Sequence, residues 1–239
     1  MIYGSKQTKE TSPEAENDTK NSPIQPLIDL GSTTLRTKRG NIHCLTIVGQ
    51  IEGHMSLPSG AKATKYEHVL PLLAGLEADE GTDGVLFLLN TMGGDVEAGL
   101  AIAELIAGMS KPTVSLVLGG GHSIGIPLAV ASRRTFIAPS ASMTVHPIRM
   151  NGTMIAAPQT YHYFSRLQER IVRFVTKNSS ITEETFTALM MASGNMAADV
   201  GSVIYGDEAV ACGLIERIGT LSDALGALSD EIGRKPPEA

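Results

Sequence analysis

Tryptophan is missing from this 239-residue sequence, and phenylalanine and tyrosine occur five times each. Ligands read by stacking, such as single-stranded bases, need aromatic platforms that this composition does not supply. Cysteine is nearly absent too: Cys44 and Cys212 stand far apart, which gives neither a disulfide framework nor a thiolate metal site. No cluster of His, Cys, Asp and Glu has zinc or calcium spacing, so neither a metal nor another cofactor is expected. No run approaches the roughly 18–20 apolar residues of a spanning helix, so no integral membrane segment is expected. Basic excess is lacking as well: 19 Lys and Arg face 25 Asp and Glu, for a net charge of -6. That balance gives no general attraction for nucleic acid.

What remains is 42% hydrophobic residues, 25 glycines and 10 methionines. This supports one well-buried core of Leu, Ile, Val, Ala and Met, with glycines permitting close approach. Met1–Pro26 is polar and lacks the apolar stretch of a signal peptide, so it reads as a flexible tail. The expected division is a flexible tail over 1–40, one domain over 41–232 and a short tail over 233–239, in a cytoplasmic protein.

From Asn41 the pattern becomes regular. Apolar runs at Ile42–Gln50, Val85–Leu89 and Thr113–Leu118 predict strands covered on both faces. Helical spacing over Tyr66–Glu80, Asp95–Met109, Ile124–Ser132 and Gln159–Asn178 falls between or after them. Two short strands are expected at Thr135–Ala138 and Ser142–Val145, and a last one over Leu214–Ile218. Ser180 with Glu183 reads as a capping box for Glu183–Ala192. Strands alternating with helices define an α/β class with a largely parallel sheet.

Three strand ends carry residues suited to chemistry. Gly93-Gly94 lies just before a helix, where backbone N–H groups can approach a ligand oxygen without interference from Cβ. Gly119-Gly120-Gly121-His122-Ser123 puts a serine on a sharp turn at a helix entrance. That fits a nucleophile elbow, or a serine that only caps the helix. His146 ends a strand 23 residues beyond Ser123 and could take its proton, while His122, adjacent on the turn, should point away. Carboxylates that could orient an imidazole are Asp199, Asp207, Glu208 and Asp95, the last three also good helix-start residues.

Taken together these segments resemble the ClpP-class serine peptidase family. Asn90-Thr91-Met92-Gly93-Gly94 is similar to that family's Asn-Ser-Pro-Gly-Gly, and Gly119–Gly125 to its glycine-flanked nucleophile. Met143–Pro147 is similar to its histidine segment, and Glu208-Ala209-Val210 with Gly213-Leu214-Ile215 to its tail. Gly49–His54, Thr64–His68 and Pro158–Thr160 point to a branch associated with protein export and small-peptide cleavage. The resemblance implies a ClpP/crotonase-like spiral of ββα units with a protruding handle helix over Gln159–Asn178. It further implies catalysis by Ser123, His146 and Asp199, with an oxyanion hole from the Gly94 and Ile124 N–H groups. A peptide substrate and a homo-oligomeric ring follow from the same likeness; an ATPase or export-machinery partner is unknown.

One position departs from the family pattern. Aligned without gaps, Gly201 falls where the family carries its triad aspartate, and a small insertion before Tyr205-Gly206 would restore Asp199 to that place. Two other readings follow: a crotonase-like acyl-CoA hydratase or isomerase, and a ClpP-like ring subunit without activity.

Overall fold

A computed structural model describes residues 31–149, 156–196 and 199–234. Its first half comprises β1 (Ser32–Thr37), β2 (Gly40–Glu52), β3 (Ala63–Lys65), α1 (Tyr66–Ala78), β4 (Gly84–Gly94) and α2 (Val96–Gly108). Next come β5 (Thr113–Gly121), α3 (Gly125–Val130), β6 (Arg134–Ile137), β7 (Ser142–Val145) and the long helix α4 (Ala157–Lys177). Helix α5 (Glu183–Met191), β8 (Ser193–Met196), β9 (Asp199–Val200), β10 (Ser202–Tyr205), α6 (Gly206–Ala211), β11 (Arg217–Ile218) and α7 (Leu221–Gly233) complete it. The α/β class expected from the alternation is what forms.

Among the described residues the main sheet runs β1-β2-β4-β5-β6-β11. The pairs β2–β4, β4–β5 and β5–β6 are parallel, and β1 adds antiparallel to β2. Consecutive strand residues face opposite sides, so a continuous apolar run feeds two cores. Phe87 and Leu89 enter one core with Leu45, Ile47, Ile102 and Val117. Leu86 enters the other with Ile42, Cys44 and Leu116, covered by Ala224 and Leu228 of α7.

Several expectations are corrected. Residues 32–37, placed in the flexible tail because they are polar, form β1; the ladder to β2 holds them, from Ser32↔Leu45 to Thr37↔Gly40. Residues 1–30 of that tail lie outside the described residues. The cap of α5 is Thr182, whose hydroxyl accepts from Thr185 N–H, and not Ser180. Only Arg217–Ile218 of the last expected strand pairs with β6. Leu214 and Ile215 instead donate their N–H groups to the Ala209 carbonyl and stay buried beside α6.

Candidate active site

Both glycine segments belong to strands. Gly93 and Gly94 continue β4, paired with Gln50 and Ile51 of β2. Gly119–Gly121 ends β5, where pairing to β4 jumps from Leu89↔Val117 to Thr91↔Gly121. The jump leaves two extra residues on β5, and the Asn90 side chain bridges the gap: its Oδ1 accepts the Gly120 N–H at 2.9 Å. A Cβ at Gly119 would lie 2.6 Å from that same oxygen, so a larger residue there would push the Asn90 side chain off the Gly120 N–H.

The bulge delivers Ser123 in the left-handed region at φ 56°, where no other non-glycine residue among those described is found. A non-glycine residue held at such an angle stores backbone strain, which is a recurrent feature of catalytic turns. Ser123 N–H donates to the Thr144 carbonyl of β7 at 2.9 Å, tying the turn to the strand that leads to His146. The N–H groups of Gly125 and Ile126 are taken by the His122 and Ser123 carbonyls. The Ile124 N–H finds no such acceptor among the described residues, leaving one amide at the entrance of α3 for a ligand. On β4, Asp95 N–H donates to Ile51 O of β2. Strand alternation therefore turns the Gly94 N–H away from β2, towards the β5 side.

His146 is half-buried, and its Nδ1 lies 2.6 Å from the Pro147 carbonyl oxygen. A carbonyl can only accept, so the bond requires a proton on Nδ1, and in the neutral imidazole the lone pair then lies on Nε2. Ser123, Ile124, Gly94 and His146 line one cavity of about 160 Å³. The Ser123 hydroxyl and the imidazole are not hydrogen-bonded to each other in this resting arrangement, a looseness common before substrate binds. The rest of the wall is mostly apolar, with Val96, Ile126, Ile171, Phe186 and Met190 around Gln168.

Other candidates resolve into structural roles. His122 turns aside as expected: its Nδ1 sits 2.8 Å from Thr144 Oγ1, and burial holds its pKa below the usual histidine value. Asp95 accepts Ala98 N–H and caps α2, while Glu208 accepts Tyr205 N–H in the capping box of α6. The backbone of Asp199 pairs with Met196 in a short hairpin, but its side chain lies outside the described residues. Gly201 stands against His146: at φ 135° its Cβ would come within 2.8 Å of His146 Cβ and 2.5 Å of Val145 O. No side chain fits there without moving the histidine.

Glu97 at the start of α2 makes a forked ion pair with Arg170 of α4, at 2.7 and 3.1 Å. The Arg170 hydrogen bonds hold the Glu97 carboxyl below its usual range. The helix that begins at the glycine strand is thus joined to the long helix beside the cavity. Sequence reasoning did not single out Gln168, Ile171, Phe186 or Met190 as site residues, and placed Asn90 and Thr91 only within the glycine segment. Only the four-residue spacing of Phe186 and Met190, which puts both on one face of α5, offered a signal.

Ser123, with its positive φ, the Ile124 amide beside it and His146 thus share one cavity, and comparison with known proteins shows the family. The Clp protease family profile matches residues 38–222, and the chain belongs to that family. Within it the chain stands on the TepA branch: it is 52% identical, over 90% of its own length and 84% of the relative's, to the translocation-enhancing protein TepA of Halalkalibacterium halodurans. More distant is the ATP-dependent Clp protease proteolytic subunit 1 of Chlamydia muridarum, 26% identical over 53% of this chain and 71% of the relative. The corresponding subunit of Streptococcus agalactiae is 28% identical over 46% and 51%.

Proposed function

We propose that this protein is a serine peptidase that cleaves short or unfolded peptides through an acyl-enzyme. The observation that carries the reading is the left-handed Ser123, sharing one cavity with His146, with the adjacent Ile124 amide unpaired among the described residues. Ser123 Oγ attacks the scissile carbonyl carbon while His146 Nε2 takes its proton. The carbonyl oxygen becomes an oxyanion held by the Gly94 and Ile124 N–H groups. Collapse breaks the C–N bond, and His146 returns the proton to the leaving amine. Water then adds to the acyl-enzyme with the same base assistance and releases the new carboxyl end. The cavity of about 160 Å³, mostly apolar with Arg149 and Gln168 also in its wall, suits one aliphatic side chain next to the scissile bond.

Asp199 is the carboxylate assigned to orient the imidazole, a role shared with the Pro147 carbonyl that accepts from Nδ1. Asp199→Asn is therefore expected to lower kcat by about tenfold, well short of the ~10⁴-fold loss where a carboxylate is the sole partner. Steady-state cleavage of a fluorogenic peptide measures this, and a loss beyond 10³-fold would return the whole role to the aspartate.

A ring of identical subunits, with α4 as the handle between rings, belongs to the same proposal, as does residence in the cytoplasm. Among the described residues no helix is long and apolar enough to cross a membrane. The relative's name, translocation-enhancing, supports a link to protein export. Any ATP-driven feeding would come from another chain, since no nucleotide-binding loop occurs in this sequence.

Labelling with a peptidyl phosphonate tests the assignment. The wild-type protein should take one adduct per chain, at Ser123, and neither Ser123→Ala nor His146→Ala should take any. A wild type that assembles but stays unlabelled would identify a ring subunit without activity.

A further inference from the structure

We propose that Thr91 is a positioning residue that sets which amide of the glycine strand serves the oxyanion, an inference that rests on the peptidase reading above. Pairing of β4 with β2 runs through Gly49↔Thr91 and resumes at Gln50↔Gly93, so Met92 is bulged out of the ladder and is 66% exposed. The Thr91 hydroxyl bridges the break. Its Oγ1 donates to the Gly49 carbonyl at 2.6 Å and accepts the Gly93 N–H at 3.1 Å. Thr91 itself is 1% exposed and Gly93 is buried, so the Gly93 N–H has no water to turn to, while Gly49 is half-buried.

The same residue reaches the nucleophile turn. Its carbonyl accepts the His122 N–H at 3.1 Å. Its Cγ2 methyl occupies the space into which a Cβ at Gly125 would project, at 2.7 Å. Gly93, whose amide Thr91 holds, is packed so closely on Ser123 that its own Cβ would be 2.7 Å from Ser123 Cβ. One buried side chain therefore fixes the spacing between the strand that offers the oxyanion amide and the turn that offers the hydroxyl.

The consequence concerns amide choice. With the Gly93 N–H committed to Thr91 Oγ1, the Gly94 N–H is the strand amide that remains for the oxyanion. Valine matches threonine in shape but neither donates nor accepts, so Thr91→Val would take the hydroxyl from the Gly49 carbonyl and leave the buried Gly93 N–H unpaired. The Gly93 amide would then seek another acceptor, turning the peptide plane between Met92 and Gly93, and rotation about the Gly93 backbone bonds would carry the Gly94 N–H with it. Serine keeps both hydrogen bonds and gives up only the methyl.

The test compares wild type, Thr91→Val and Thr91→Ser in the full-length assembled protein. Thr91→Val is expected to lower kcat for a fluorogenic peptide by about 10–50-fold, less than full loss of an oxyanion donor. KM should stay within about threefold, because only the transition state makes the lost contact. A peptide aldehyde, whose serine hemiacetal places its oxygen in the hole, should weaken by a similar factor, while the matching peptide alcohol binds as before. Thr91→Ser should keep kcat within about threefold of wild type. Equal losses in the two variants, or a raised KM at unchanged kcat, would overturn the proposal and leave Thr91 as packing alone. Absence of phosphonate labelling in the wild type would instead remove the peptidase reading, and this inference with it. A melting curve and sedimentation profile for each variant show that fold and assembly are intact; if Thr91→Val does not assemble, a kcat of Thr91→Ser below a third of wild type overturns the assignment by itself.

Discussion

Ser123→Ala is expected to remove peptide turnover by about 10⁵–10⁶-fold while the protein folds and assembles normally. The first half of that statement follows from the chemistry: without Oγ there is no nucleophile for His146 to activate, and what remains is oxyanion and binding assistance to water. The second half follows from the contacts. The Ser123 side chain makes no hydrogen bond among the described residues, and the turn is held by backbone bonds from Ser123 N–H to Thr144 O and from Ile126 N–H to Ser123 O. Alanine keeps both bonds and the same φ preference, so the melting temperature should stay within about 2 °C of wild type. Cleavage of a fluorogenic peptide, followed at enzyme concentrations high enough to detect the residue, checks it. Turnover above a hundredth of wild type would mean that another group is the nucleophile.

The second large effect is expected from Gly93→Ala. At φ 90° an L side chain is strained whatever the space, and here there is none. The added Cβ would fall 2.7 Å from Ser123 Cβ and 2.9 Å from the His122 carbonyl. Both neighbours belong to the turn that aims the nucleophile, so relief of the clash means pushing Ser123 away from the oxyanion amides. A displacement of 1 Å at a reacting group costs on the order of 10²-fold in rate, and kcat should fall at least that far. Strain and overpacking should together lower stability by about 2 kcal/mol. Denaturant unfolding alongside peptide cleavage measures both. An active, fully stable alanine variant would show that the glycine strand does not abut the serine.

Much of the architecture is written in local sequence, and the exceptions have physical causes. Val85–Leu89 identifies itself because parallel strands buried on both faces are apolar at every position. Ser123 and His146 are legible as candidates because each follows the end of a strand with glycine or proline nearby. By contrast β1 is polar and is held by ladder bonds to β2, which no local pattern announces. Helix α7 carries a capping box at Thr220 and Asp223 with Ala224 and Leu228 on one side. Its spacing was there to be read, though what it covers, the second face of the sheet, is a long-range fact. The cavity wall is harder still, since Ile171, Phe186 and Met190 meet Val96 only through the packing of α4 and α5 on α2. The glycine segments read as turns pair as strand, with the Ile51 backbone close against Gly94 and the Asn90 side chain close against Gly119.

The left-handed turn at position 123 also sets protein stability against activity at a single residue. An L residue at φ 56° is disfavoured relative to glycine, and the chain carries that penalty in every folded molecule, whether or not substrate is present. Two equally inactive variants should therefore differ in robustness, with Ser123→Gly standing roughly 0.5–1 kcal/mol above Ser123→Ala in denaturant unfolding. A drift toward glycine at this position would yield a sturdier protein without the hydroxyl on which the proposed reaction depends.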